Sequence, residues 1–313
     1  MKKAIIIIGI MLVVLASCEK TDVEISGIII DKTNFPNDSF RESILRNVDD
    51  DKNGYLSETE IKNIRKIRGS ENYCEFTIYK EQEKSEYTIR DEEKSYGKSY
   101  GFSGIDEFVY LEEINIESEF EMFGESESNI DLKNHSNLKK VELEIPDNNL
   151  SFDFSDLENI ESIFVKNNKS PDLEDGIRWI DSVKISNSPK LCELHLEKVD
   201  NLIMEVAPSL SKVYLEGVTH FPVDVITSGS KLKELYINSY GLSDISEMIF
   251  EENDNFESLT LMDNPKLNKV DLSACPNVEY LCCCQDNPCK IYVACKEKIE
   301  KVIIDDNIEL IEK

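Results

Sequence analysis

One short phrase recurs through roughly the last two thirds of the chain and constrains the fold more than any other feature. The phrase is apolar-x-x-apolar-x-apolar, where x is usually polar. It reads LEEINI from position 111, LKKVEL from 138, IESIFV from 160, IDSVKI from 180, LCELHL from 191, LSKVYL from 210, LKELYI from 232, FESLTL from 256, LNKVDL from 267, VEYLCC from 278 and IEKVII from 299. Spacings of about 19 to 24 residues dominate, with several steps of about 11.

This period is typical of leucine-rich repeats, in which two half-units make one turn of about 22 residues. A single unit cannot bury its own apolar edge, so successive units stack and share one core. We therefore predict a β-rich, curved leucine-rich-repeat solenoid over residues 104–313, with short strands on its concave face. The Asn and Pro residues of DNPKL (263–267) and SNSPKL (186–191) indicate the turns after strands. A β-sandwich would also alternate, but the fixed spacing disfavours it.

The N-terminal stretch MKKAIIIIGIMLVVLASC has a basic start and a short apolar run. The run is too short to span a bilayer, which needs about 20 residues, and the pattern is typical of a secretory signal. Its end, LASC, resembles the lipobox of bacterial lipoproteins, which implies a signal peptide over 1–17, a lipid on Cys18 and a tether over 18–34. The alternative is an ordinary signal peptide followed by a chance cysteine.

The charge is strongly acidic, with 35 Lys and Arg against 63 Asp and Glu and a formal net charge of −28. Cleavage before Cys18 would remove two lysines and no acids, which takes the charge to −30. Such a chain repels nucleic acid and anionic membrane surfaces. We therefore expect no nucleic-acid partner and membrane contact through the lipid anchor only. The acidity also suits simple solubility at a crowded cell surface.

Before the repeats, the stretch DDDKNGYLSETE fits the calcium-loop pattern D-x-[DN]-x-[DN]-G-x5-E without a gap. Hard oxygen ligands at this spacing suit Ca²⁺, and the glycine permits the sharp turn at the sixth position. The predicted ligands are Asp49, Asp51, Asn53, Tyr55 through its carbonyl, Ser57 and Glu60.

Both flanks of this loop read as helices. Phe40, Ile44, Leu45 and Val48 share one face of an entering helix, and Ile61, Ile64 and Ile67 share one face of an exiting helix. Ser57 and Glu60 also form a capping-box pattern. We predict a small EF-hand-like helix–loop–helix cap over residues 35–69 with one structural calcium, since no second loop of this pattern occurs. A helical turn that binds no metal is the alternative.

Taken together, these motifs resemble the surface leucine-rich-repeat lipoproteins of Bacteroides-type bacteria. The resemblance rests on FPNDSFRESIL, DDDKNGYLSETEI, GIDEFVYLEEINI (104–116) and LNKVDLSACPNVEYLCCCQDNP. It implies an outer-membrane lipoprotein, exposed on the cell surface, that acts in adhesion or recognition without enzymatic activity. Residues 70–103 depart from the pattern, and we interpret them as a β-hairpin-like insertion or an irregular first turn.

The middle residue of each repeat strand points away from the core. Asn115, Glu142, Phe164, Lys184, His195, Tyr214, Tyr236, Thr260 and Cys282 occupy these positions. Tyr214 and Tyr236 come from successive turns and should stack. With Phe164, Lys212 and Glu234 they form a candidate face for a protein or glycan partner, because exposed aromatic residues are frequent binding hot spots. Alternatively, they only stabilise the sheet.

Catalysis has little support in the sequence. His135, His195 and His220 are scattered, and His195 was interpreted as an ordinary surface residue. No phosphate loop, H-E-x-x-H or G-x-S-x-G motif occurs. We predict a binding module and no enzyme. A structural or accessory subunit of an envelope complex is the main alternative, and a glycan- or peptide-acting enzyme is a remote one.

The stretch LCCCQDNPC (281–289) concentrates four of the nine cysteines. The repeat directs Cys283, like Cys275, into the core, where cysteine packs as a small hydrophobe. This disfavours a four-cysteine zinc site, whose ligands must converge. Cys282 and Cys284 are predicted to be exposed thiols on the outer face. A disulfide from either to Cys289 or Cys295 remains open in a secreted protein.

Overall fold

The computed structural model describes residues 27–70, 72–80, 85–92, 101–118, 129–133, 135–146, 150–168, 179–240 and 244–313. The chain forms a β-solenoid of about seven turns with few helices, so the predicted repeat solenoid is confirmed at this level. The predicted signal peptide, the lipidation site Cys18 and the first part of the tether lie outside the described residues. Among the described residues, no helix has the length and apolarity needed to cross a membrane.

The principal element is a twelve-stranded sheet, which we call the front sheet. Its strands, in spatial order, are β5 (Ser85–Glu92), β4 (Tyr73–Lys80), β3 (Ile64–Ser70), β6 (Glu113–Glu117), β8 (Lys140–Ile145), β10 (Ser162–Asn167), β12 (Glu193–Glu197), β14 (Lys212–Glu216), β15 (Glu234–Asn238), β17 (Ser258–Met262), β19 (Tyr280–Cys284) and β21 (Lys301–Ile304). From β3 to β21 every neighbouring pair is parallel, as expected when each strand belongs to the next turn of a solenoid.

Two four-stranded parallel sheets form the opposite side, and we call them the back sheets. The first contains β7 (Asn129–Asp131), β9 (Ser151–Asp153), β11 (Ile180–Ile185) and β13 (Val199–Met204); the second contains β16 (Glu247–Ile249), β18 (Lys269–Leu272), β20 (Cys289–Val293) and β22 (Ile308–Glu312). The phrases at 180 and 267 therefore lie on the back and not on the front. Lys184, which we had placed on the concave face, belongs to β11 and pairs with Asp153 at 3.1 Å.

Period-two alternation explains both the strands and the core. In β14, Val213 and Leu215 are buried while the residues on either side of them are not. The same inward positions on neighbouring turns hold Leu, Ile and Val, and all belong to one continuous hydrophobic cluster. Because no turn could bury these side chains alone, the stacking of turns is what removes them from water.

The N-terminal cap contains α1 (Asp38–Asn47), α2 (Glu58–Asn63) and a two-stranded antiparallel sheet of β1 (Ile28–Ile29) and β2 (Tyr55–Leu56). Asn37 caps α1 by accepting a hydrogen bond from the Phe40 backbone. The predicted capping box of Ser57 and Glu60 is present at α2. One further short helix, α3 (Val223–Thr227), and two 3-10 turns, Ile105–Glu107 and Lys296–Lys298, lie farther along.

The exiting helix is shorter than predicted. It ends at Asn63, and the chain continues from Ile64 as β3, which pairs with both β4 and β6. A register shift between Ile64 and Lys66 allows Ile64 and Ile67 to be buried from a strand. Their three-residue spacing was therefore misread as a helix face.

The segment 70–103 contains the predicted hairpin. Strands β4 and β5 pair antiparallel and extend the front sheet at its N-terminal edge. Phe76 from β4 packs with Phe40 of α1 and with Phe108, at ring-centroid distances of 6.1 and 6.4 Å. The hairpin is therefore not a detached insertion, because its inner face completes the junction between cap and solenoid.

Candidate functional site

The outer face of the front sheet carries a shallow groove of about 530 Å³. All five predicted partner-face residues line it, namely Phe164, Lys212, Tyr214, Glu234 and Tyr236. They come from β10, β14 and β15. Strand β12 lies between β10 and β14, and the parallel pairing of these four strands aligns equivalent positions in one row. The structure thus brings this predicted set together.

At the centre of the groove, four rings form a continuous row, which we call the aromatic ladder: Phe164, His195, Tyr214 and Tyr236. The successive ring-centroid distances are 4.3, 4.1 and 4.1 Å. Tyr214 and Tyr236 are parallel to within 2°, as the one-turn spacing predicted. The ladder arises because parallel strands lie about 4.8 Å apart, which is close to the distance at which rings stack.

His195 is the member that sequence reasoning missed. We had interpreted it as an ordinary surface histidine, but its ring lies between those of Phe164 and Tyr214. The register of β10, β12 and β14 was the signal that could have found it, since all three carry their middle residue at the same position.

A row of acids borders the ladder on one side. Glu197 contacts the His195 Nε2 at 2.7 Å and the Lys166 Nζ at 3.2 Å. Burial acts to raise the pKa of Glu197, but the hydrogen bonds from His195 and Lys166 outweigh it and hold the pKa below its ordinary value. This carboxylate therefore stays charged and fixes the orientation of the His195 ring.

One turn further on, Glu216 also holds a side chain of the aromatic ladder in place through a hydrogen bond. It accepts hydrogen bonds from the hydroxyls of Tyr214 and Tyr240. Burial, reinforced by the adjacent Glu216 carboxylate, raises the pKa of both tyrosines well above the ordinary range. Both phenols therefore remain neutral donors at any physiological pH. Their hydroxyls share the Glu216 carboxylate of β14 as a common acceptor.

The second feature lies in the cap, where one ligand atom from each of Asp49, Asp51 and Glu60 lies within 4.8 Å of the others. Such a cluster could hold a metal ion. Asp49 is 2% exposed, and its two oxygens accept backbone N–H groups of Asn53 and Gly54 at 3.1 and 3.0 Å. The described residues place no Lys or Arg within ion-pair distance of these three carboxylates, so nothing there neutralises them in place of a cation.

The loop backbone supports this arrangement. Gly54 adopts a φ of +82°, which permits the turn at the sixth loop position. The carboxylate of Glu60 reaches back to the backbone N–H groups of Asp50 and Ser57, at 2.7 and 2.8 Å. Glu60 therefore closes the loop from its far end, where a bidentate ligand would sit.

The other predicted ligands are close by but engaged within the loop. The Asn53 side chain accepts from the Tyr55 backbone at 2.7 Å and donates to Asp51 at 2.9 Å. The Ser57 hydroxyl donates to Glu60 at 2.7 Å. Strand β2, inside the loop, pairs with β1 and not with a second loop of the same kind. Strand β1 therefore supplies the hydrogen-bonding partner that β2 of this single loop would otherwise lack.

No family model matches the chain, and neither a curated protein nor a solved structure does so. Its function must therefore be inferred from its own residues.

The cysteines are arranged differently from the prediction. All eight cysteines in the described part of the chain are free thiols. Cys283 and Cys275 are buried, as expected. Cys282 was expected to be exposed, but it is only 7% exposed because its neighbours in register, Thr260 and Ile303, flank it on both sides.

Cys289 also differs from the expectation that it could bridge to Cys282 or Cys284. It is buried on β20, where its sulfur contacts the Lys290 carbonyl at 3.9 Å, and it acts on Cys283 from within the core. The Cys289 thiol and burial raise the pKa of Cys283 far above its ordinary value. The front sheet itself separates Cys289 from the outer-face thiols. Cys284 remains half-buried on that face, with its sulfur 3.8 Å from the sulfur of Cys282.

Proposed function

We propose that this chain is a non-enzymatic, cell-surface lipoprotein of the leucine-rich-repeat class that binds a protein or glycan partner through its front face. The aromatic ladder within the groove is the observation that carries this proposal. Tyr and Trp dominate binding hot spots because they combine large apolar area with a polar tip and low conformational entropy. The lipid on Cys18 and delivery to the outer membrane remain expectations from the N-terminal sequence.

Ring orientation favours a protein over a glycan as the partner. Tyr214 has His195 on one side and Tyr236 on the other, both at 4.1 Å, so neither of its faces is available to a sugar ring. Only the two end rings, Phe164 and Tyr236, keep a face that is not covered by another ladder ring. The ladder therefore presents ring edges, which suit apolar and hydrogen-bonding contacts with a polypeptide.

Paired substitutions on the two sides of the solenoid test this proposal. The full-length chain and its Tyr214→Ala and Tyr236→Ala variants would be applied to peptide arrays and glycan arrays. Tyr292→Ala on β20 is the matched control, because it removes a tyrosine from the back sheet. Loss of a hot-spot aromatic costs about 2 kcal/mol or more, which is roughly 30-fold in affinity.

We expect both front-face variants to lose peptide binding by this factor while Tyr292→Ala retains it. Equal binding by all three variants would exclude the ladder as the contact surface. Binding confined to glycans, and lost with Tyr236→Ala but not Tyr214→Ala, would assign the end ring to a sugar instead.

We also propose that the cap is EF-hand-like and holds one structural Ca²⁺ through Asp49, Asp51, Asn53, Tyr55, Ser57 and Glu60. The carboxylates of Asp49, Asp51 and Glu60 converge, and Asp49 is buried. Every proposed ligand atom is an oxygen, which suits Ca²⁺. Calorimetric titration should show one site. Asp49→Ala should abolish the heat, whereas Asp50→Ala, which removes an exposed neighbouring acid outside the cluster, should preserve it. No heat from the unmodified chain would refute the calcium assignment.

A structural or accessory subunit of an envelope complex is the second candidate, and one observation favours it. Ile203 and Ile249, on the two back sheets, are 50% and 52% exposed, and Val206 nearby is 59% exposed. Exposed aliphatic residues on the back would suit a neighbouring subunit. Extraction from membranes would distinguish the candidates. A stoichiometric partner that is lost with Ile203→Ser and Ile249→Ser, but retained with Tyr214→Ala, would favour the subunit.

A further inference from the structure

Beyond the aromatic ladder, the C-terminal end of the front face places two thiols and a thioether on neighbouring strands. Cys282 and Cys284 lie two residues apart on β19, so their side chains share one face of the sheet. Their sulfurs are 3.8 Å apart. Met262 on β17 is the registered partner of Cys284, and adjacent strands are separated by about 4.8 Å.

The thioether of Met262 lies on the same face as the two thiols. Its Sδ accepts a contact from the Tyr236 hydroxyl at 3.8 Å, and Tyr236 lines the groove. Met262 and Cys284 are both half-buried, while Cys282 is almost fully buried. Met262 and Cys284 thus keep partial exposure on the outer face, and Cys282 lies beneath them in a largely buried position.

We propose that Cys282, Cys284 and Met262 form a binding site for one soft monovalent metal ion, such as Cu(I) or Ag(I). Thiolate and thioether ligands select soft ions, whereas hard cations prefer oxygen. A zinc site would need four converging nitrogen, sulfur or carboxylate ligands, whereas this group offers two thiols and one thioether. This site adjoins the end of the aromatic ladder through the contact between Tyr236 and Met262, and it is separate from the cap.

The spacing of the two thiols supports a bridging ion more than a direct bond. With metal–sulfur bonds of about 2.3 Å, an ion between sulfurs 3.8 Å apart makes an S–metal–S angle of about 110°. That angle leaves room for a third sulfur ligand without movement of the strand. A disulfide would instead require the sulfurs to close to about 2.0 Å, between residues whose backbone is held by β17 and β21.

Binding involves no electron transfer. The ion accepts lone pairs from three sulfurs, two S–H bonds are broken, and two protons pass to the solvent. The thioether of Met262 contributes its lone pair without losing a proton. Metal binding through thiols is therefore accompanied by proton release and weakens as the pH falls.

Titration of the full-length, reduced chain with Cu(I) against a chromophoric Cu(I) chelator, without oxygen, tests this proposal. We expect one competitive site that is lost in Cys282→Ser/Cys284→Ser. Met262→Leu removes a ligand and should weaken it by at least about 10- to 100-fold, the effect that loss of even an outer-shell partner has in metal sites. Cys295→Ser is the matched control, because it removes a half-buried thiol outside this group and should leave the affinity unchanged.

A second readout uses the unmodified chain and does not depend on variant folding. Cu(I) should protect Cys284, the more exposed of the two thiols, from alkylation, as judged by peptide mass, while Cys192 and Cys295 react as before. Alkylation of Cys284 at an unchanged rate would overturn the proposal. Equal protection by Zn(II) would overturn the assignment to a soft monovalent ion.

Discussion

At the residue scale, single positions in this chain are constrained by what lies opposite them and not by residue type alone. Gly54 and Gly104 both adopt left-handed backbone, with φ of +82° and +90°. A Cβ on Gly54 would meet nothing within 4 Å, whereas a Cβ on Gly104 would lie 2.1 Å from the Asn34 carbonyl oxygen. Substitutions at the two glycines therefore distinguish the cost of the left-handed backbone from the cost of a steric clash.

We predict that Gly104→Ala destabilises the protein more than Gly54→Ala does. Left-handed backbone in a residue with a Cβ costs about 1 kcal/mol or more at either site. Gly104→Ala must also displace the backbone around Asn34, so its total loss should reach about 3 kcal/mol. Urea unfolding without added calcium measures both. Equal losses of unfolding free energy in the two variants would show that the backbone around Asn34 moves without a measurable cost.

At the element scale, buried Asn side chains close the turns of the solenoid. Asn253 is 3% exposed and donates to the carbonyls of Gly229 and Leu232, at 3.0 and 2.7 Å. These bonds join one turn to the preceding one, across a sequence separation of 21 to 24 residues. Side-chain amides thus satisfy backbone groups that the strand ladders do not reach.

Asn253→Ala should therefore destabilise the array, by about 2 kcal/mol, because it leaves the Leu232 carbonyl without its donor and the Asn255 backbone N–H without its acceptor. Asn255→Ala is the matched control, since this exposed residue makes a single side-chain bond, to the Ser230 carbonyl at 2.9 Å, and should cost about 0.5 kcal/mol or less. Thermal unfolding compares the two. Similar small losses would indicate that water replaces the Asn253 amide.

At the scale of the whole molecule, acid stability depends on carboxylates distributed along the solenoid. Glu113, Glu197 and Asp271 are partly buried, and burial alone would raise their pKa values. Hydrogen bonds and ion pairs from neighbouring side chains outweigh burial in each case and lower the pKa. These groups therefore stabilise the fold above the pKa of the unfolded carboxyl, and their contribution disappears as the pH falls through the lower folded pKa.

Glu197→Gln tests this linkage at one turn. At pH 7 the variant should be less stable, by about 1 to 2 kcal/mol, because a charge-assisted hydrogen bond is lost. The difference should be fully present above the ordinary glutamate pKa of 4.5 and shrink as the pH falls below it. Free energies of unfolding measured at intervals of about one pH unit, from about pH 3 to about pH 7, give the pH dependence of this difference. Glu205→Gln, an exposed control, should show no such trend.

Much of the fold was predictable from the sequence because the repeat is a local pattern. An apolar side chain at every second position, returning every 22 residues or so, determines a stacked β-array. The predicted hairpin and capping box follow in the same way, from neighbouring residues alone. The cluster of three carboxylates in the cap was predictable because all three belong to one loop of fixed spacing.

Other features depended on contacts between distant segments. The exiting helix ends at Asn63 because β3 finds sheet partners in β4 and β6, which lie farther along the chain. Lys184 lies on a back sheet because its phrase forms the back half of a turn. The phrases of the front and back halves have the same sequence pattern. The side of each phrase is decided only when the intervening residues complete the turn.

The sequence by itself determined the solenoid, the loop and the outward direction of Phe164, Tyr214 and Tyr236, since each follows from local periodicity. Only the tertiary structure decided that His195 completes the aromatic ladder, that Cys282 is covered and that Met262 lies beside Cys284 in register. These three results depend on the register between strands that are 19 or more residues apart in the chain. Register is set by the packing of the whole core, and no local window of sequence contains it.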